Sequence, residues 1–323
     1  MTASYQPIPR VGEPIRSSTP EDLAKAWLSW KLDIQGRSQR TFDSYGLILR
    51  QWITWCEPLG VDPLYPTTDE LEAFVLRRRI RQAKGPMGAP ATRRGDVVVL
   101  RGWFTWLAQR GHVTHDPTVD LQAPTVKAGL PKPIPDGDWR VLIQTDMTPR
   151  LYLAMGLGYY CGLRRKEISS LRGNQLTDTH ITRFVRKGGS EDTLPWRSLV
   201  GVYQEDLPNL IPEPERFVDG LLEHAAEVRH NLMFWTEGQS MYKYMQRVCA
   251  RAGVGPYTPH QLRHSCATNL VRARVPIEII ASMLNHSSLD MTRRYIRASG
   301  DELDEWRRQR QRPEGRDNQA DWG

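Results

Sequence analysis

The sequence predicts a mainly α chain with one small β-hairpin, split into a helical N-terminal domain and a larger α-rich C-terminal domain. Three observations carry this. Apolar residues recur at three- and four-residue spacing through most of the chain. One stretch, His180–Arg186 and Thr193–Arg197 around Lys187-Gly188-Gly189-Ser190, breaks that period with a strand–turn–strand pattern. A segment with five prolines, residues 116–135, separates the two helical parts. A chain of 323 residues suits two domains, each able to bury its own core without disulfides or metals.

Composition narrows the class of partner. Hydrophobic residues make up 39% and charged residues 25%, and no stretch is apolar for the length of a membrane span, which excludes an integral membrane protein. No apolar run near the N-terminus marks a secretory signal, so the expected location is the cytoplasm. Lysine and arginine total 44 against 37 acids, a net charge of +7, as a polyanion partner would ask. Cys56, Cys161, Cys249 and Cys266 form no CxxC pair and read as buried reduced thiols.

Residues 1–18 are polar, proline-containing and aperiodic, and read as a flexible tail. The first domain is expected over 19–115. Thr19-Pro20-Glu21-Asp22 is a helix start, with a capping hydroxyl, proline at the first turn and acids at the positive end of the dipole. Leu23, Ala26, Trp27, Trp30 and Ile34 then form one apolar face. A second helix from about Ser38 turns Phe42, Tyr45, Leu49, Trp52 and Ile53 inward. A third starts near Thr67–Glu70, with Leu71, Phe74 and Val75. After a loop at Lys84–Pro90, a fourth carries Val97, Leu100, Phe104 and Leu107 and ends at Gly111. Arg77, Arg78, Arg79, Arg93, Arg94 and Arg101 cluster here, either as a solvated helix face or as a face that contacts phosphates.

Residues 116–135 are expected to form a semi-rigid linker and 136–312 the second domain. Its helices are expected at about 137–146 and 149–161, continuing through LRRKEISSL, then the hairpin, then helices again beyond about 215. Residues 313–323 read as a disordered tail.

Chemistry concentrates in the second domain. In CGLRRKE, Arg164 follows the glycine that ends one helix and opens the next. HQLRH places His260, Arg263 and His264 near a helix start, with His260 and Arg263 at i and i+3 and so able to meet one ligand. LNHSS follows, with Tyr295 nine positions after His286. A guanidinium offers a phosphate two parallel N–H donors, and imidazole can donate or take a proton. Two arginines, histidines and a lysine around one point would hold and neutralise a phosphodiester, which is most of what phosphoryl transfer needs. His260 and His264 have zinc-protease spacing, but HQLRH lacks the glutamate of HExxH and a third ligand, so no metal is expected.

These segments, in this order, resemble the tyrosine recombinase (phage integrase) family over about residues 137–297. Its TGLRxxE is here CGLRRKE with Arg164 and Glu167; its hairpin KGxKxRxVP is KGGSEDTLP with Lys187. Its HxLRH is His260 to His264, its LGH is Leu284-Asn285-His286, and its TxxYxH-like segment is Thr292 to Tyr295. The resemblance implies a four-helix core-binding domain followed by a catalytic domain, without an additional arm-binding domain. It implies Tyr295 as the nucleophile forming a 3′-phosphotyrosine, Arg164 and Arg263 on the non-bridging oxygens, and Lys187 as proton donor to the leaving 5′-oxygen. His260 assists proton movement at the tyrosine and His286 donates to the phosphate. It implies no cofactor and no ATP. Its partners are double-stranded DNA with inverted core-type repeats, a homotetramer on two sites closing around DNA, and an accessory directionality factor. The favoured role is phage DNA integration and excision in a bacterial cell. A Xer-like recombinase resolving chromosome or plasmid dimers, a type IB topoisomerase-like enzyme and a non-catalytic relative are the alternatives.

Individual residues keep second readings. Arg164 could cap a helix or pair with Glu167. Lys187 could be a solvated turn residue, since the hairpin lacks the basic residues that often follow the lysine. His264 is expected to hydrogen-bond within the fold. Tyr159 and Tyr160 read as core, Tyr242 and Tyr244 as packing or DNA contacts, and Tyr257 lacks the offset from His286. Two positions depart from the family pattern. Asn285 replaces the usual glycine, where asparagine tolerates left-handed backbone, and Arg274 stands where many members have glycine. At the end of the chain, Leu303 and Trp306 form a stripe on an expected helix from Asp301 to Arg312. That stripe would pack on its own domain or dock on a neighbouring protomer.

Overall fold

The computed structural model describes residues 19–36, 38–77, 90–126, 129–186, 189–235, 238–286 and 288–299. Arg78, Arg79, Lys187, both tails and the expected helix from Asp301 lie outside them. The chain divides at residue 128 into two compact units, each with its own apolar core.

The first unit holds α1 (Pro20–Asp33), α2 (Gln39–Cys56), α3 (Thr68–Arg77) and α4 (Pro90–Gln109). Each start follows local chemistry. The Thr19 hydroxyl accepts from the Asp22 N–H at 3.2 Å, and the Ser38 hydroxyl accepts from the Thr41 N–H at 3.3 Å. The apolar faces meet around Trp27, Trp52, Trp103 and Phe104, all fully buried. Residues beyond 115 join this unit rather than running on as an extended linker. Asp116 accepts from the Thr118 N–H, Leu121 is buried, and its carbonyl accepts a bond from the Arg101 guanidinium.

The second unit comprises α5 (Asp136–Gln144), α6 (Pro149–Tyr160), α7 (Arg165–Ser170), β1 (Ile181–Val185) and β2 (Glu191–Leu194). It continues with α8 (Trp196–Asp206), α9 (Pro214–Val228), α10 (Gly238–Ala252), α11 (Pro259–Arg272), α12 (Ile277–Met283) and α13 (Leu289–Ser299). Ten consecutive residues of α6, Leu151 to Tyr160, are buried, which makes it the central helix. Trp139 stacks flat on Tyr159 at 3.7 Å, and its indole N–H shares the Leu210 carbonyl with the Tyr160 hydroxyl. Tyr159 and Tyr160 are core residues as expected. The four cysteines are buried and form no disulfide.

The strands pair antiparallel, Ile181 with Leu194 and Val185 with Glu191, with an irregularity where Arg183 takes φ +51°. The second strand is earlier and shorter than the sequence predicts, because Trp196 opens α8 instead of continuing the strand. Trp196, Leu199, Val200 and Tyr203 are buried at helical spacing, and the Trp196 indole donates to the Thr177 carbonyl at 2.9 Å. That period was legible but was overridden by the β-rich residues before it.

Candidate active site

The site grows from the end of α6. Gly162 turns the chain at φ +67°, and a Cβ there would lie 2.4 Å from Leu284 and 3.1 Å from Cys266. The turn delivers Arg164 as the cap of α7. Its N–H donates to one oxygen of Glu167 at 2.8 Å, and its guanidinium to the other at 2.9 Å. The pairing with Glu167 therefore exists, but it does not use up the side chain. Arg164 also donates to the Asn285 carbonyl at 3.4 Å and remains partly exposed.

Helix α11 supplies the next group. Thr258 and Gln261 form a capping box, with the Thr258 N–H donating to Gln261 at 3.0 Å and Pro259 in the first turn. Arg263 points inward and is 2% exposed. It donates to the Gly162 carbonyl at 2.6 Å and to the Leu284 carbonyl. Burial, then the charge of Arg164, lowers its pKa to about 10, so it is still a cation at neutral pH. A guanidinium carries five donors, and these two bonds leave others for a ligand.

The C-terminal end of α12 joins these parts. Its last turn presents carbonyls that the helix itself cannot satisfy. Met283 accepts from Arg186 at 2.7 Å, Leu284 from Arg263, and Asn285 from Arg164. Asn285 takes φ +45°, the left-handed turn expected of it, and Arg274 takes φ +61°. The His286 N–H then closes on the Ala281 carbonyl at 2.9 Å.

Arg186 was missed in the sequence. It is 3% exposed, donates to Asp192 at 2.8 Å and lies 3.7 Å from Glu167 and 4.4 Å from the Phe184 ring. Its signal was an arginine beside the hairpin lysine, facing the same side as buried Phe184 and Leu194, and it looked like ordinary strand polarity. Lys187, the next residue, lies outside the described residues.

Helix α13 brings Thr292 and Tyr295 inward from one face. The His286 Nδ1 is 2.8 Å from the Thr292 hydroxyl, which orients its ring. Tyr295 is 5% exposed, and its ring lies parallel to His286 at 6.1 Å between centroids. Its hydroxyl is 2.8 Å from Nδ1 of His264. His260 meets the edge of His264 at 4.5 Å, and among the described residues no hydrogen bond or ring contact joins His260 to the tyrosine. Burial raises the Tyr295 pKa, offset in part by Arg263 and Arg294. Burial first, then neighbouring charges, lowers His264 and His286 to about 4, and His260 is lowered for the same reason. The result is a protonated phenol beside neutral imidazoles and fixed cations, an arrangement suited to receiving a phosphodiester.

Of the residues predicted from sequence, Arg164, His260, Arg263, His286 and Tyr295 share this site, and Glu167, Arg186, Thr292 and His264 complete it. The N-terminal arginines belong to the other unit. Arg77 ends α3, Arg94 is exposed and Arg93 half-buried, while Arg101 is occupied with the Leu121 carbonyl. Among the described residues no three His, Cys, Asp or Glu side chains are grouped to hold a metal ion.

Comparison with known proteins gives the family and the fold. The model described as the phage integrase family matches residues 140–302. Tyrosine recombinase XerC 2 of Ralstonia nicotianae is 25% identical over 296 residues, covering 84% of this chain and 80% of that protein. The crystal structure of the XerH site-specific recombinase, in a post-cleavage complex with a palindromic difH substrate, superposes with a TM-score of 0.61 and 17% identity over 90% of this chain and 85% of that one. A lambda integrase tetramer bound to a Holliday junction superposes with a TM-score of 0.62 and 16% identity over 84% and 78%. At such identities the two superpositions speak for a shared fold.

Proposed function

The chain belongs to the phage integrase family and is a site-specific tyrosine recombinase; on that premise we propose that Tyr295 is its nucleophile and that Arg164, Lys187, His260, Arg263 and His286 serve the phosphate it attacks. The observation that carries this reading is the Tyr295 hydroxyl, buried at 2.8 Å from His264 on a helix packed against the one bearing Arg263.

Tyr295 attacks a DNA phosphodiester and forms a 3′-phosphotyrosine. The leaving 5′-oxygen takes a proton from Lys187. Arg164 and Arg263 exchange their carbonyl partners at the end of α12 for the non-bridging oxygens, which carry more charge and so form stronger bonds. His286 adds a donor, and His260 supports proton movement through the neighbouring ring. The phosphotyrosine keeps the bond energy, so the 5′-hydroxyl of a partner strand rejoins the DNA without ATP. Exchange between two duplexes takes four such sites, hence a homotetramer on two sites with inverted core-type repeats. The arginines of the N-terminal unit, Arg77, Arg78, Arg79, Arg93, Arg94 and Arg101, provide its phosphate contacts. The work is done on DNA in the bacterial cytoplasm.

The test is a nicked core site that traps the covalent adduct. The wild-type chain should accumulate it, and Tyr295→Phe should bind the same DNA and form none. An adduct with Tyr295→Phe overturns the assignment.

The biological role we assign is integration and excision of phage or other mobile DNA, with an accessory factor setting direction. Departures from the usual motifs at Asn285 and in the hairpin support it. The second reading, Xer-like resolution of replicon dimers, is favoured by relatives of matching length that carry Xer names. Plasmids with two core sites separate them. Dimer resolution without any added factor supports the second reading, and factor-dependent integration the first.

A further inference from the structure

We propose that His264 is a further catalytic residue, the group that takes the proton from Tyr295 as the phosphodiester is attacked. This rests on the reading of Tyr295 as the nucleophile. The assignment starts from reach. The Tyr295 hydroxyl is 2.8 Å from Nδ1 of His264, whereas His260 meets His264 and, among the described residues, makes no hydrogen bond to the tyrosine. A proton acceptor has to be within hydrogen-bond distance of the proton it removes.

The surroundings suit the role. His264 is faced by His260 and Arg263 from its own helix and by Arg294 and Tyr295 from α13. Burial first, then the charges of His260, Arg263 and Arg294, keep its imidazole neutral at neutral pH, so with the proton on Nε2 the Nδ1 lone pair receives the phenolic hydrogen. Burial makes the phenol reluctant to ionise by itself, which is why it needs a base in contact. An arriving phosphodiester brings negative charge among the cations, and an anion nearby favours the imidazolium that forms.

The step balances. The Oη–H bond breaks as Nδ1–H forms. The Oη–P bond forms as P–O5′ breaks, and O5′ takes its proton from Lys187. On rejoining, the attacking 5′-hydroxyl returns a proton to Lys187, and the departing phenolate recovers one from His264.

A core site carrying a 5′-bridging phosphorothiolate isolates this half of the reaction, because a thiolate leaves without being protonated. His264→Asn keeps an acceptor oxygen near the Nδ1 position but cannot carry the proton away. It should bind core DNA as the wild type does, yet form the adduct about 100-fold more slowly on the phosphorothiolate as well as on the normal phosphate. His264→Ala should regain rate with added imidazole. A wild-type rate for His264→Asn on the phosphorothiolate overturns the proposal, as does a DNA-binding His264→Ala protein that imidazole does not rescue. Should both variants lose DNA binding, the wild-type chain decides. Adduct formation on the phosphorothiolate should be slower in D₂O, and an unchanged rate overturns the proposal. Tyr295→Phe keeps the two ideas apart. No adduct there leaves the nucleophile standing whatever His264 does, and an adduct there removes both.

Discussion

Gly162 and Asn285 each hold a backbone shape that most residues resist, at φ +67° and +45°. At Gly162 a side chain meets both a left-handed φ and the Leu284 and Cys266 side chains. Gly162→Ala should cost more than the ~1–2 kcal/mol of the left-handed turn alone, read by urea unfolding. Asn285 is in the same region at φ +45° with no glycine to ease it. Asn285→Gly should therefore unfold no earlier than the wild type, while Asn285→Ala loses ~1 kcal/mol. A milder effect at Gly162 than at Asn285 would mean that the contact with Leu284 relaxes.

At the scale of elements, the C-terminal turn of α12 is where the site is tied together. Its carbonyls hold Arg186, Arg263 and Arg164 together at one helix end. Arg186 also anchors the hairpin, with its side chain 2% exposed between Glu167 and Asp192. Arg186→Met takes a buried cation away from Glu167, Asp192 and the Met283 carbonyl and should destabilise by about 3 kcal/mol, measured by denaturant unfolding.

The histidines on α11 and after α12 add a pH dependence. In the unfolded chain their imidazoles protonate near 6.5, whereas in the fold burial and adjacent cations lower His264 and His286 to about 4. Between those values the unfolded chain binds more protons, so the fold loses stability as pH falls from 6.5 towards 4. The melting temperature of the DNA-free protein should drop across that window, and His264→Asn should drop less.

At the scale of the molecule, each unit is closed around its own aromatic core, Trp52 and Trp103 in one and Trp139, Tyr160 and Phe217 in the other. We propose that the segment after α13 serves assembly. Leu303 and Trp306 follow α13 by a few residues, with Arg307, Arg308, Arg310 and Arg312 after them. Truncation after Ser299 should leave binding to one core site intact and abolish synapsis, read by native gel shifts on paired sites. Full recombination by the truncated protein would show the tail to be dispensable. Activity should also survive EDTA, since the cations we propose for the phosphate are side chains.

How much of this was legible follows from the range over which each cause acts. Helical period, capping hydroxyls and the glycine after α6 act over a few residues, so the sequence by itself determined most helices, the hairpin's place, the reduced thiols and the motif order from Arg164 to Tyr295. The left-handed turn at Asn285 was readable for the same reason. The start of α8 was misjudged because Trp196 suits a strand as well as a helix, and only burial against Thr177 and the core decided between them. Tertiary structure alone decided which histidine meets the tyrosine. His260 and His264 share one helix face and one motif, and the choice depends on where α13 lays Tyr295, 31 positions away. It alone made Arg186 part of the site, through a carbonyl 97 positions distant. Such contacts pair groups whose separation in sequence carries no period, so no local pattern could announce them.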